Sequence, residues 1–351
     1  MVRFSDIIET SRKKNSPEEE THEEADRLWL SDSQVLQVRK KASADQNSRE
    51  ALEKEAIASE AETIYNKFTR RAIDIRDRVQ SDLGISPSPI LADLHHVIDH
   101  NLIDPLYEYA MRTGQPQEDM PVHSVDVTFA SLRVGKGLNY DTKKLLQLGL
   151  AAFLENVGMY KIPGAILNKT GRLDPHEITV IKNHSLLSSQ TLDRMGSRYQ
   201  WLAEVVLQTH ERSDGPGYPR SLKEDSISEL AAVIGLIDTY LAMIKNRPYR
   251  DKLIQTDAVK FILKEARNLF PPKVLKVFLS QISLFPVNSW VRLNNKSIGR
   301  VISTDRNQPL RPTLELLYDN QGKKLQPGEI VQLSQNSLLY IVESIDENKL
   351  P

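Results

Sequence analysis

Three of the chain's eight histidines, His123, His184 and His210, stand far apart in the sequence, with Glu155-Asn156 and Asp238 interleaved among them. Imidazole and carboxylate are the groups that hold hard and borderline divalent ions, and helical proteins build such centres from single ligands on separate helices. Distance along the chain therefore counts for little if helices aim these groups into one core. By residue type alone the set also reads as surface residues or hydrogen-bonded core histidines. The chain has no cysteine, so thiolate ligands and disulfides are excluded and any ion must be held by nitrogen and oxygen.

The elements around these residues are helical. Between residues 118 and 283 the apolar pattern is almost wholly that of helices, six or seven of them, with turns at Gly137, Gly158, Pro163-Gly164, Gly171 and Asp214 to Gly217. Ahead of it, Ile57, Ala61, Ile64, Phe68, Ala72, Ile75 and Val79 recur at spacings of three and four and predict one helix with an apolar stripe. That stripe suits packing within its own domain, or a two-helix dimer seam, since the spacing lasts about three heptads. A second helical run is expected over Ile90 to Met111. Ser16-Pro17 followed by three acids marks a further helix start, and residues 1–45 form a charged N-terminal segment.

After Phe285-Pro286 short β-rich runs replace the helices: Trp290 to Leu293, Gly299 to Ile302, Thr313 to Tyr318, Ile330 to Leu333 and Leu338 to Val342. Asn294-Asn295, Asp319 to Gly322 and Pro327-Gly328 read as the turns between them. The expected fold is thus mainly α: a charged segment at 1–45, a helical N-terminal domain at 46–115, a helical bundle at 116–285 and a small β-rich module at 286–346.

The formal net charge is -1, from 46 basic and 47 acidic residues, which gives no electrostatic ground for nucleic acid as a partner. No apolar run approaches the ~20 residues of a membrane helix, and Met1 to Lys14 lacks a signal-peptide core. A cytoplasmic protein without membrane insertion is the expectation.

Text around the histidines adds to this. His210-Glu211-Arg212-Ser213-Asp214-Gly215-Pro216-Gly217-Tyr218-Pro219 resembles the HHExxDGxGYP signature of HD-GYP domains, with Thr209 in place of the first histidine. In the family's order follow or precede it His123-Ser124, Leu150 to Leu154, Ile162-Pro163 to Leu167, Lys169, Gly171 and Leu173, then His184, Asp238 and Arg247-Pro248-Tyr249-Arg250. The resemblance covers about 118 to 345. It implies an HD-GYP-like helical bundle and a metal-dependent cyclic di-GMP phosphodiesterase or a relative of one. It also implies metal ligands at His123, Glu155, His184, His210 and Asp238, with Asp119 at the place of an extra carboxylate in some members. Lys169, Arg172, Arg247 and Arg250 are implied as phosphate contacts, and Gly217, Tyr218 and Pro219 as a docking loop for a GGDEF-domain protein.

Departures from the family lie at the chemistry. Its His-Asp pair, whose aspartate bridges two ions, is Glu155-Asn156 here; glutamate is a competent hard ligand, whereas a neutral amide is no bridge. Met159 stands for the lysine that would meet the scissile phosphate, with Lys161 nearby as a substitute, and Thr209 removes an imidazole. Two readings follow. One is a degenerate domain of a bacterial signalling homodimer, binding partners or cyclic di-GMP (or a related nucleotide) with weak or no hydrolysis, and holding one divalent ion (Fe or Mn before Zn) or none. The alternative is an active phosphodiesterase with a Glu/Asn-containing site. An unrelated HD-type phosphohydrolase or a structural dimer is a third, and the GYP motif speaks against the hydrolase. His96 and His100, one turn apart beside His95 and Asp99, read as a solvated face, and His22 and His176 carry no signal.

Overall fold

A computed structural model describes residues 32–112, 119–169, 171–245, 253–282, 285, 287–304, 308, 310–345, 347 and 350, with side chains from 55 onward. Two compact units divide the chain, 1–56 and 57–351. The first contributes the opening part of α1 (Asp32–Gln80), and the Ser16-Pro17 helix start lies outside the described residues.

The second unit begins with the rest of α1, whose apolar stripe finds its partners inside the chain. Ala61, Ile64, Phe68, Ala72, Ile75 and Val79 are buried, and Ile57 alone of the stripe is exposed. Phe68 meets Phe129 edge-on at 5.1 Å between centroids and Phe153 at 5.6 Å. A stripe already covered by its own core is not available as a dimer seam, so that expectation is corrected. The expected run from Ile90 to Met111 is two helices, α2 (Ser88–Asp99) and α3 (Ile103–Arg112). Asn101, at φ 55°, takes the left-handed conformation that breaks them, which asparagine tolerates better than most residues.

Then come α4 (Met120–Gly137), α5 (Thr142–Leu154), a 3₁₀ turn (Val157–Lys161), α6 (Gly164–Leu167), α7 (Pro175–Lys182), α8 (His184–Asp193), α9 (Gln200–Leu207), α10 (Glu229–Ile244), α11 (Gln255–Glu265) and α12 (Pro272–Gln281). Eight of the helices from α4 on have at least eight residues, more than expected, because capping residues cut the pattern finely. Asp141 accepts the Lys144 amide at the start of α5, and Asp174 and Glu177 close a capping box on α7. α4 and α10 are buried on nearly every face, and one apolar cluster runs from Ala61 to Ile282.

The tail is one antiparallel sheet in the order β4-β3-β2-β1-β5: β1 (Trp290–Leu293), β2 (Ile298–Ser303), β3 (Thr313–Tyr318), β4 (Lys324–Gln332) and β5 (Ile341–Ile345). Its own cluster of Val291, Leu293, Val301, Leu314, Leu316 and Leu333 is separate from the helical core. Pro327-Gly328 is not a turn but lies inside β4. It falls at the register shift of β4 against β3, between the pairs Tyr318–Lys324 and Leu316–Glu329, so a proline lacking an N–H interrupts no paired residue there. Among the described residues no helix is long and apolar enough to cross a membrane.

Candidate metal centre

Three elements bring three of the expected ligands together. His123 lies in the first turns of α4, Glu155 directly follows α5, and Asp238 sits within α10. Each offers one ligand atom, and these atoms all lie within 4.8 Å of one another. His123 Nε2 donates to Asp238 Oδ1 at 2.8 Å, so a cation would take the position that this shared proton holds. Glu155 is 1% exposed. Its Oε1 accepts from the Asn156 amide at 3.0 Å, while Oε2 is buried with no hydrogen-bond partner among the described residues. An orphaned buried carboxylate oxygen is costly. Beside an imidazole and a second carboxylate, it is a donor set that fits a divalent ion.

Burial, and next the charge of Asp238, raise the Glu155 carboxyl well above its ordinary 4.5, while His123 and Arg212 pull it back. A group whose pKa is raised on folding contributes stability at low pH that is lost as pH rises through the folded value. Without an ion, the protein should therefore lose stability as pH rises above the ordinary carboxylate range, and Mn²⁺ should reverse that loss. Mn²⁺ binding near neutral pH should also release a proton from this site. Calorimetry in two buffers of different ionisation enthalpy measures it, and identical apparent enthalpies would rule the release out.

The remaining two expected ligands form a pair. His184 Nδ1 donates to the Ile181 carbonyl at 2.7 Å, which leaves its Nε2 bare to accept from His210 Nε2 at 2.9 Å. Desolvation holds both imidazoles neutral: His184 is lowered, and His210, with His184 beside it, falls to about 3. The ring of His210 stacks on Tyr218 at 4.8 Å and 9°. Close backbone approaches make this possible. A Cβ at Gly158 would lie 2.1 Å from the His184 carbonyl oxygen, and one at Gly235 would lie 2.1 Å from that of Thr209. Thr209 is buried and its hydroxyl donates to the Val206 carbonyl at 3.0 Å.

Two further residues shape the site. Glu211 accepts the backbone amides of Arg220 at 2.7 Å and Leu222 at 2.9 Å, tying down the loop that carries Gly217, Tyr218 and Pro219. Arg212 donates to the carbonyls of Thr209 and Glu211 on either side of His210, and to Thr239 next to Asp238. An arginine in a polar loop reads as solvated from sequence, so this role carries no sequence signal.

A model of the HD domain family matches residues 104–274, and a model of the KOW domain associated with HD domains matches 290–351. The helical domain belongs to the HD-GYP family. Similar proteins include the cyclic di-GMP phosphodiesterase PA4108 of Pseudomonas aeruginosa, 28% identical over 61% of this chain and 51% of that protein. The cyclic di-GMP phosphodiesterase PdeB of Borreliella burgdorferi is 27% identical over 65% of this chain and 60% of its own length. The chain thus spans between half and three-fifths of these two relatives. Bd1817, a HDG"Y"P protein from Bdellovibrio bacteriovorus, shares the fold at TM-score 0.51 and 17% identity, over 63% of this chain and 71% of that one.

Within this HD-GYP domain the other expected residues have distinct settings. Asn156 is buried against Glu155, Met159 is half-buried in the 3₁₀ turn, and Lys161 at its end is exposed. Lys169 is held by both oxygens of Glu177 at 2.7 and 2.6 Å, so its charge is already met. Arg172 is exposed, as is Asp119 at the start of α4. Arg247 and Arg250 lie outside the described residues, as does His22. Tyr218 and Pro219 line a pocket of about 310 Å³ with His176, Thr179, Lys182 and Asn183. His95 Nδ1 and Asp99 Oδ2 form an exposed contact at 2.8 Å beside the rings of His96 and His100, which lie 4.2 Å apart at a tilt of 39°.

Proposed function

We propose that this HD-GYP domain serves cyclic di-GMP signalling by binding the nucleotide and partner proteins, with weak or no hydrolysis. One divalent ion would be held by His123, Glu155 and Asp238. Two carboxylates and one imidazole suit Fe or Mn before Zn. The nucleotide follows from the names of the relatives, which are cyclic di-GMP phosphodiesterases.

One observation carries the non-catalytic half: the Asn156 amide donates to Glu155 where a bridging carboxylate would be needed. An ion in the cluster would supply Lewis-acid polarisation of a phosphoryl oxygen. The chain's own groups add little to that. Asn156 is neutral, Met159 brings no cation to a phosphate, and the neutral His184–His210 pair keeps its proton between two nitrogens. Lys169 answers Glu177. The loop of Gly217, Tyr218 and Pro219, pinned by Glu211, is the surface offered to a GGDEF-domain partner, and homodimerisation would use a face other than the α1 stripe. The alternative, an active phosphodiesterase that uses Glu155, is favoured by the orphaned Glu155 Oε2.

Metal analysis by mass spectrometry together with a cyclic di-GMP turnover assay separates the two. One ion per chain, measurable nucleotide binding and slow or absent turnover are expected. Two ions per chain with robust Mn²⁺- or Fe²⁺-dependent turnover, abolished by Asp238→Ala, would make the protein an enzyme.

A further inference from the structure

A second link joins the two helices that carry His123 and Asp238. Asp126 lies three residues beyond His123 on α4 and is 0% exposed. One of its oxygens accepts the Tyr65 hydroxyl from α1 at 2.6 Å. The other is ion-paired with Lys245, the residue that follows α10. Lys245 is seven residues, two helical turns, beyond Asp238.

A carboxylate with no exposure is tolerated only when paired and hydrogen-bonded, and here both conditions are met from two other elements. Replacing such a pair by apolar residues often costs no stability, so a stabilising role does not account for it well. Its geometric consequence is clearer. The pair closes only at one register of α10 on α4, and a slip of one turn would carry Asp238 ~5.4 Å along the helix, out of reach of His123.

We infer that Asp126, Lys245 and Tyr65 are positioning residues for the metal centre, setting α10 and α1 against α4 so that Asp238 meets His123 and Glu155. The inference rests on the metal reading proposed above only for its effect on ion affinity; the placement of Asp238 against His123 is a property of the ion-free protein as well.

The test uses the full chain with ¹⁵N-labelled histidine. Lys245→Met strands a buried charge and can compromise folding, so the main variant is the charge-free double Asp126→Asn/Lys245→Met, with Tyr65→Phe as the mildest change. In ion-free protein the His123 Nε2 resonance, which reports the hydrogen bond to Asp238, is expected to shift in the double variant. Mn²⁺ affinity should fall about tenfold, the low end for loss of an outer-shell partner. Lys245→Arg in the otherwise unchanged chain should keep both near wild type. A folded double variant with an unmoved His123 resonance and wild-type Mn²⁺ affinity would overturn the inference. Asp238→Ala is the reference: if it leaves Mn²⁺ affinity intact, the metal reading fails instead, and the His123 resonance alone decides the positioning role.

Discussion

Restoring Glu155→His, Asn156→Asp, Met159→Lys and Thr209→His together is expected to raise cyclic di-GMP turnover by ~10²–10³, the usual worth of one transition-state donor, with the regained ligands adding to it. Asn156→Asp is the decisive step. In the ion-free protein it removes the amide that donates to Glu155 Oε1 and sets another carboxylate beside Glu155, which is itself clustered with His123 and Asp238. Losing that buried partner should cost about 1–3 kcal/mol of stability without metal. The same negative charge is what two closely held cations require, so Mn²⁺ should restore the stability and bind in greater amount. Thr209→His is the hardest to accommodate, because Thr209 is 1% exposed. Asn156→Asp/Met159→Lys is therefore the fallback pair. Urea unfolding with and without Mn²⁺, metal counting and turnover on the same preparations form one experiment. Two bound ions without any gain in turnover would show that the pocket itself is unfit for hydrolysis.

Phe68→Ala should be the most damaging single truncation along α1. Phe68 is 0% exposed and packs edge-on against Phe129 of α4 and Phe153 of α5. Removing a buried phenylalanine costs about 3–5 kcal/mol, and the two aromatic contacts place this site toward the upper end. Urea unfolding should show that loss, while sedimentation should show the wild-type mass, since the stripe is covered within the chain. A small loss of stability accompanied by a fall in mass would return the α1 stripe to the role of an intermolecular seam.

Some of this protein was legible in its sequence. The α1 stripe, the switch from helices to short strands after Phe285, and His210 to Pro219 all depend on local periodicity or on contiguous residues, which a linear reading captures. The mainly helical fold with a small β-rich tail followed from these. The absence of cysteine likewise excluded thiolate donors from any metal centre.

Tertiary structure decided the rest. The stripe had two uses open to it, and only the packing of Phe129 and Phe153 on Phe68 assigned it to the core. Five expected ligands became a cluster of three and a pair of two, because α4, α5 and α10 converge at one point while His184 and His210 face each other. Neither the clamp of Arg212 nor the buried contact of Tyr65 and Lys245 with Asp126 has a sequence pattern, since each joins residues more than twenty positions apart in at least one of its bonds. Periodicity records which face of an element is apolar. It does not record which elements meet, and a metal centre built from separate helices is defined by that meeting.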